Sequence, residues 1–365
     1  MEDLVAQPNI WRGKRVFLTG HTGFKGGWAA LWLASKGAIV RGYALAPCTE
    51  PNLFTEARVG SVIEDIRGDI RDGAAVDAAM IGFKPDIVFH MAAQPLVRYS
   101  YADPIGTFET NVIGTARVLD AVRRTPSVRA VVSITTDKCY ENKEWLWGYR
   151  ETDPLGGYDP YSSSKACAEI VSAAYRQSYF PVDKMAEHAC GIATGRAGNV
   201  IGGGDWSLDR LIPDLVRGFL AGEPVRIRRP QAIRPWQHVL EPVFGYLLLA
   251  EKLLSEDKAR YATAFNFGPS DDDAQTVGWI VERMTKFWGG NASWVIDEDP
   301  SVHEAGYLKL DASRARAELA WHPRLRLNTT LEWLVAWYQA WQDGADMHRF
   351  TLDQIAAYER LSPIH

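Results

Sequence analysis

The sequence predicts an α/β chain: a doubly wound parallel sheet followed by a smaller C-terminal α+β unit. Three observations carry this. Short apolar runs alternate with segments whose apolar residues recur at helical spacing, as strands separated by helices do. The runs are apolar without alternation, which is how strands covered on both faces read. A glycine-rich turn, Gly20 to Gly26, stands between the first run and the first helical segment.

Arg15 to Thr19 (Arg-Val-Phe-Leu-Thr) is the first strand, ending at Gly20. Trp28, Leu31 and Trp32 then recur at helical spacing. Ile39 to Leu45 reads as the second strand, Val62 to Ile66 as the third, Ile87 to Met91 as the fourth and Arg129 to Thr135 as the fifth. Ala74 to Phe83 and Thr110 to Arg124 read as helices, the latter with Val112, Ala116, Leu119 and Val122 on one stripe. Tyr161 to Tyr179 is a further helix and His188 to Ala197 a further strand. The character changes after Asn199. Gly202 to Gly204 is a loop, Asp209 to Leu220 a helix, Pro224 to Ile227 a short strand and Val243 to Leu254 a helix. Ala264 to Phe267 is a short strand able to return to the main sheet, and Leu331, Leu334, Val335 and Tyr338 mark a late helix. The tail from about Gly344 reads as loosely held.

Composition excludes several classes. Of 365 residues, 47% are hydrophobic and 23% charged, close to globular averages and far from a disordered or collagen-like chain. A net charge of -5 lacks the basic footprint of a nucleic-acid binder. No apolar run reaches about 18 residues, so no membrane partner is expected. The polar, acidic N-terminus is unlike a signal peptide. Cys48, Cys139, Cys167 and Cys190 are scattered without a C-x-x-C pair, which fits reduced thiols in a cytoplasmic protein and gives no metal site.

The chemistry concentrates in three segments. In Gly20-His21-Thr22-Gly23-Phe24-Lys25-Gly26 the glycines permit a tight turn and close backbone approach to a pyrophosphate, which the following helix N-terminus attracts. A plain glycine turn is the alternative. Tyr161 and Lys165 stand at i and i+4, on one helix face. A phenol is a poor base near neutral pH unless a neighbouring cation favours the phenolate. The fifth strand runs into Thr135-Thr136-Asp137-Lys138-Cys139-Tyr140, where two ionisable residues follow Thr136 directly. Either they add proton transfers to a hydride step or they are a solvated turn.

The G-x-x-G-x-x-G spacing resembles the short-chain dehydrogenase/reductase superfamily, which implies a Rossmann-type fold with NAD bound at Gly20, Thr22, Gly23, Phe24, Lys25 and Gly26. The resemblance further implies adenine contacts at Asp69 and Ile70, with Ala92 and Ala93 passing behind the cofactor. It makes Tyr161 the base, Lys165 its partner and Thr136 the hydroxyl that bonds the reacting oxygen. No acid appears at the end of the second strand before Glu50, and Arg41 leaves NADP open on these residues alone.

The Thr-Asp-Lys segment resembles the nucleotide-sugar 4,6-dehydratases, most of which carry Thr-Asp-Glu there. Met91 to Arg98, Arg196 to Trp206 and Ile233 to Val239 agree, so the resemblance covers roughly residues 10 to 355. It implies an NAD-binding unit over 10–200, with the return strand near 264–267, and a mainly nucleotide-sugar-binding unit over 201–355. It makes Asp137 the acid for a departing 6-hydroxyl. Lys138 takes the place of the family's glutamate near C5 and serves as a base only when deprotonated. The nucleotide sugar, expected to be CDP-glucose, would meet Gln94, Arg98, Asn199, Arg210, Leu211, Pro213 and Arg234. Trp145 and Trp147 either wall that pocket or pack. Family members commonly dimerise through the helices at 110–124 and 161–179. Two rivals share the glycine loop: a related enzyme, either a 4,6-dehydratase acting on another nucleotide sugar or a 4-epimerase, the latter with no use for Asp137 and Lys138; and a non-catalytic dinucleotide-binding regulator, which can lose Tyr161 or Lys165.

Overall fold

The computed structural model describes residues 9–297 and 307–364. Strands β1 (Arg15–Thr19), β2 (Ile39–Ala44), β3 (Glu64–Arg67), β4 (Ile87–His90), β5 (Ala130–Ile134) and β6 (Gly191–Ala197) form one sheet with the strand Ala264–Phe267 at its edge. Its order is 3-2-1-4-5-6 followed by Ala264–Phe267, and every pairing is parallel. The strand order reverses beside β1, the switch point where ligands of such sheets lie at the carboxyl ends of the strands. β1, β4, β5 and β6 are apolar and nearly wholly buried because helices cover both faces. Ala264–Phe267 does return to the sheet, in register with Thr194 to Ala197.

One face is covered by the helices Gly73–Phe83, Gly114–Arg123 and Pro160–Ser178. The stripe expected over 110–124 is interrupted: Glu109–Ile113 is a π-helical turn that runs into Gly114–Arg123. Such turns insert a residue into the helix and re-aim side chains. The other face carries the helices Phe24–Ser35 and Leu240–Leu253, and its apolar core continues without a break into the C-terminal half.

The third strand starts two residues later than expected, because Val59–Ser61 forms a 3-10 turn first. The expectation of a loose tail is overturned. Met347–Glu359 is a helix capped by Asp346, and it buries Met347, Ile355 and Tyr358 against the first helix and the sheet-covering helix Leu240–Leu253. Trp32 donates its indole N–H to Glu359 at 2.5 Å, and Lys36 pairs with the same carboxylate at 2.6 Å.

Candidate active site

The carboxyl ends of β1, β4, β5 and β6 converge on one crevice. Gly20 ends β1 with φ +79, a conformation that favours glycine, and a Cβ there would lie 2.7 Å from the Ala92 nitrogen. A Cβ on Gly26 would meet the Gly20 carbonyl at 2.1 Å. The loop is therefore wound tightly against the start of the helix Phe24–Ser35. That helix begins at Gly23 with no side-chain cap, so its first amides keep their capacity for a bound anion. Thr22 spends its hydroxyl on the Leu45 carbonyl at 2.9 Å, tying the loop to the end of β2. Phe24 lies against Gly202. Ala92 donates its N–H to Thr19 Oγ1 at 3.1 Å, and Ala93 follows half-buried. These contacts make a cradle that a dinucleotide fits.

Lys25 has no ion-pair partner among the described residues. Its ammonium stands 5.8 Å from the Tyr246 ring centroid. Burial and the cations of Arg210 and Lys165 lower its pKa to about 7. The site thus gathers the basic side chains of Lys25, Lys165 and Arg210, the last paired with Asp205, a set that an anionic ligand would complement.

Asp69 follows β3, but Arg71 holds its carboxylate with three hydrogen bonds, at 2.8, 2.9 and 2.6 Å, and lowers its pKa. The side chain expected to meet the adenine is thus engaged by its neighbour, while Ile70 is buried against Gly114. Arg41 is also committed. Its guanidinium forks onto Glu64 at 2.8 and 2.7 Å, donates to the Ala79 carbonyl and covers the Phe83 ring.

After β5 the chain makes a 3-10 turn, Asp137–Cys139, with Thr136 accepting from the Lys138 N–H at 3.3 Å. The turn sends the adjacent side chains different ways. Asp137 is 1% exposed and takes a hydrogen bond from Thr136 Oγ1 at 2.9 Å, while its Oδ2 has no hydrogen-bond partner among the described residues. Burial raises its pKa, against the pull of Lys138, Thr136 and Arg234. Lys138 is half-buried, with Nζ 6.0 Å from the Tyr161 ring centroid. Asp137, Lys138 and Tyr161 therefore stand around one space, which closes at Gly198, where a Cβ would lie 2.9 Å from Asp137 Oδ2.

Tyr161 opens the helix Pro160–Ser178, capped by Asp159, whose carboxylate accepts from the Ser162 N–H at 2.9 Å. Burial raises the Tyr161 pKa to about 12; Thr136 and Arg210 work against the rise and Asp137 adds to it. Lys165 lies one turn further along this helix; its Nζ donates to the Ile134 carbonyl at 3.2 Å, and burial lowers its pKa to about 8. Tyr161 is thus tuned chiefly by its buried surroundings and the hydroxyl of Thr136.

The residues expected to meet the substrate divide. Arg210, at the start of the helix Leu211–Ala221, pairs with Asp205 at 2.9 Å and acts electrostatically on both Tyr161 and Lys25, so it belongs to the crevice. Leu211 and Pro213 lie on that helix's first turn, and Asn199 lies between β6 and the short strand Val200–Ile201. Arg234, on the strand Ile233–Pro235, acts on Asp137. Arg98 crosses to Asp209 at 2.9 Å and ties the helix Val97–Ala102 to the loop before Arg210. Gln94 does not project into the crevice: its amide bonds Thr107 and the Leu96 N–H at 2.9 and 2.5 Å. Trp145 packs on Tyr149 with centroids 5.2 Å apart, while Trp147 stays exposed.

Sequence reading missed Asn111. The π turn buries it, and it donates to the Ser164 hydroxyl at 2.8 Å and the Gln94 carbonyl at 3.0 Å, so it joins the segment after β4 to the Tyr161 helix. It also missed Tyr246, a buried phenol without a hydrogen-bond partner among the described residues, whose pKa is raised by burial and by the nearby Tyr161 and Asp137.

Comparison with known proteins bears on this arrangement. The GDP-mannose 4,6 dehydratase family matches residues 17–333. A CDP-glucose 4,6-dehydratase of Salmonella typhimurium is 53% identical over 350 residues, 96% of this chain and 97% of its own. A dTDP-glucose 4,6-dehydratase of Xanthomonas campestris is 26% identical over 93% of this chain and 98% of its own. Among solved structures, UDP-glucose 4-epimerase of Thermotoga maritima matches with a TM-score of 0.78 at 20% identity, covering 90% of this chain and 99% of its own. The dTDP-glucose 4,6-dehydratase of Bacillus anthracis, solved with NAD, matches with a TM-score of 0.73 at 21% identity, covering 92% and 100%. The two structures share the fold, and the match over 17–333 with the Salmonella relative goes further: the chain belongs to the GDP-mannose 4,6 dehydratase family.

Proposed function

We propose that the chain is an NAD-dependent hydro-lyase that converts CDP-D-glucose to CDP-4-dehydro-6-deoxy-D-glucose and water. The observation that carries this is the turn after β5, which sets a buried acid and a half-buried lysine beside Tyr161. A 4-epimerase needs no such pair. The CDP-glucose form rests on the identity with the Salmonella relative.

The loop Gly20 to Gly26 and the start of the helix Phe24–Ser35 would hold NAD, which when bound would supply a hydride acceptor for C4 and a hydride donor for C6. The fit of the loop and the uncapped helix supports a dinucleotide, and the commitment of Arg41 to Glu64 favours NAD over its 2′-phosphorylated form. Tyr161 takes the proton of the C4 hydroxyl, with Thr136 bonding the same oxygen. The resulting ketone acidifies the C5 proton, which a base in the place of Lys138 removes. Asp137, whose pKa burial raises, gives a proton to the C6 oxygen, which leaves as water. A proton then returns to C5. Arg210 and Arg234 would hold the diphosphate, Leu211 and Pro213 would face the base, and Asn199 would contact the sugar diphosphate. Asp69, Ile70, Ala92 and Ala93 would line the adenine and nicotinamide sides of the cofactor.

We infer a cytoplasmic homodimer; no helix among the described residues is long and apolar enough to cross a membrane. Incubation with CDP-glucose tests the function. A 4-keto-6-deoxy sugar should form without net NADH. Absence of the ketone, or inversion at C4, would overturn the reading.

A further inference from the structure

Beneath the catalytic turn lies a polar cluster that no step above uses. Glu169 stands four residues after Lys165, on the same face of the helix Pro160–Ser178, and is 3% exposed. Its carboxylate accepts from Thr135 Oγ1, from Thr194 Oγ1 at 2.7 Å and from Arg196 Nη2 at 2.8 Å. Arg196, 4% exposed, donates its other nitrogen to the Tyr140 hydroxyl at 2.8 Å. That hydroxyl donates onward to Asn266 Oδ1 at 2.7 Å, on the edge strand Ala264–Phe267. The Tyr140 ring stacks on Tyr149 with centroids 5.2 Å apart.

The order of these contacts along the chain gives them meaning. Thr135 precedes the segment Thr136-Asp137-Lys138, and Tyr140 follows it by two residues. One buried ion pair therefore grips the catalytic turn at both ends. It is built on the helix that carries Tyr161 and Lys165, so the turn and the helix are fixed to each other. Burial works against the charge on Glu169, but Arg196 and the two threonines outweigh it and hold its carboxyl below the ordinary value. A buried pair of this kind fixes geometry more than it adds stability.

We infer that Glu169, Arg196 and Tyr140 form a positioning unit that holds Asp137 and Lys138 in place for elimination of the 6-hydroxyl. The inference rests on the dehydratase reading. Tyr140 is the member whose loss disturbs the downstream end of the turn alone. Y140F keeps the ring on Tyr149 and removes only the hydroxyl.

The test uses the full chain loaded with NAD and CDP-glucose, wild type beside Y140F. The kcat of Y140F should fall on the order of 10–100-fold with KM little changed, since misplacing a reacting group costs rate rather than binding. In a single turnover, bound NADH should accumulate beside a 4-keto sugar that keeps its 6-hydroxyl. A second variant, E169Q/R196M, removes both charges of the pair together, so neither is left buried without the other. It should fold and show the same build-up of NADH. Unchanged kcat per folded molecule, or hydride removal slowed as much as elimination, would overturn the proposal; Y140F alone decides if the double variant does not fold. If the wild type itself forms no 4-keto-6-deoxy sugar, the functional reading fails instead.

Discussion

At the scale of single residues, the account divides the chemistry between Tyr161 and Asp137. Y161F keeps the ring and removes the titrating oxygen, so turnover should fall roughly 10²–10⁴-fold with no bound NADH formed. D137N should form bound NADH and then stall with the 6-hydroxyl still on the sugar. Stopped-flow absorbance at the reduced-nicotinamide band, with mass analysis of the sugar, separates the two; identical traces would contradict the division. Tyr161, Lys165 and Thr136 were legible because each sits at a fixed offset from a strand end or along one helix turn. Asn111 and Arg196 were not, because their partners Ser164 and Glu169 are distant in sequence and only the fold brings them together. Glu169 carried a faint signal, its offset of four from Lys165. For Lys165, spacing gives a face shared with Tyr161 but not which acceptor the ammonium meets, here the Ile134 carbonyl.

Elements of the sheet were legible almost throughout, since buried parallel strands show as unbroken apolar runs. The tail was not. Met347–Glu359 does carry apolar residues, but its docking depends on Trp32 and Phe244, far earlier in the chain. It also closes over Glu241, which opens the helix Leu240–Leu253 and accepts from the N–H groups of Arg324 and Leu325 and from the Tyr358 hydroxyl. Burial raises the Glu241 pKa to about 7 from 4.5, so between those values the folded protein holds a proton that the unfolded chain has lost. Its contribution is present below pH 4.5 and is lost as pH rises through about 7. E241Q keeps the acceptor for both N–H groups and stays neutral. Denaturant midpoints should therefore show E241Q gaining on the wild type from pH 6 to pH 8.5, by about 1–1.5 kcal/mol. A constant gap across that range would contradict a protonated Glu241. Truncating Tyr358 to Ala should cost about 3–5 kcal/mol, as for other buried aromatics, where a loose tail would cost almost nothing.

For the whole molecule, the uncovered side of the sheet-covering helices is notable. Ile170, on Pro160–Ser178, is 56% exposed, and beside it Ile105 is 68% exposed, with Tyr101 and Ile113 also exposed on the short helices and the π turn that pack against Pro160–Ser178. Such a surface fits a second copy of the chain, as expected for helices 110–124 and 161–179, and I170E should move the protein from dimer to monomer in sedimentation. A wild type that sediments as a monomer would remove that expectation. The central claim concerns neither assembly nor stability but the path of one hydrogen. If C4 is oxidised, water eliminated and the same hydrogen returned within one site, CDP-glucose bearing deuterium at C4 should yield a 4-keto-6-deoxy sugar with that deuterium at C6. Loss of the label to solvent, or a product still bearing its 6-hydroxyl, would contradict the account.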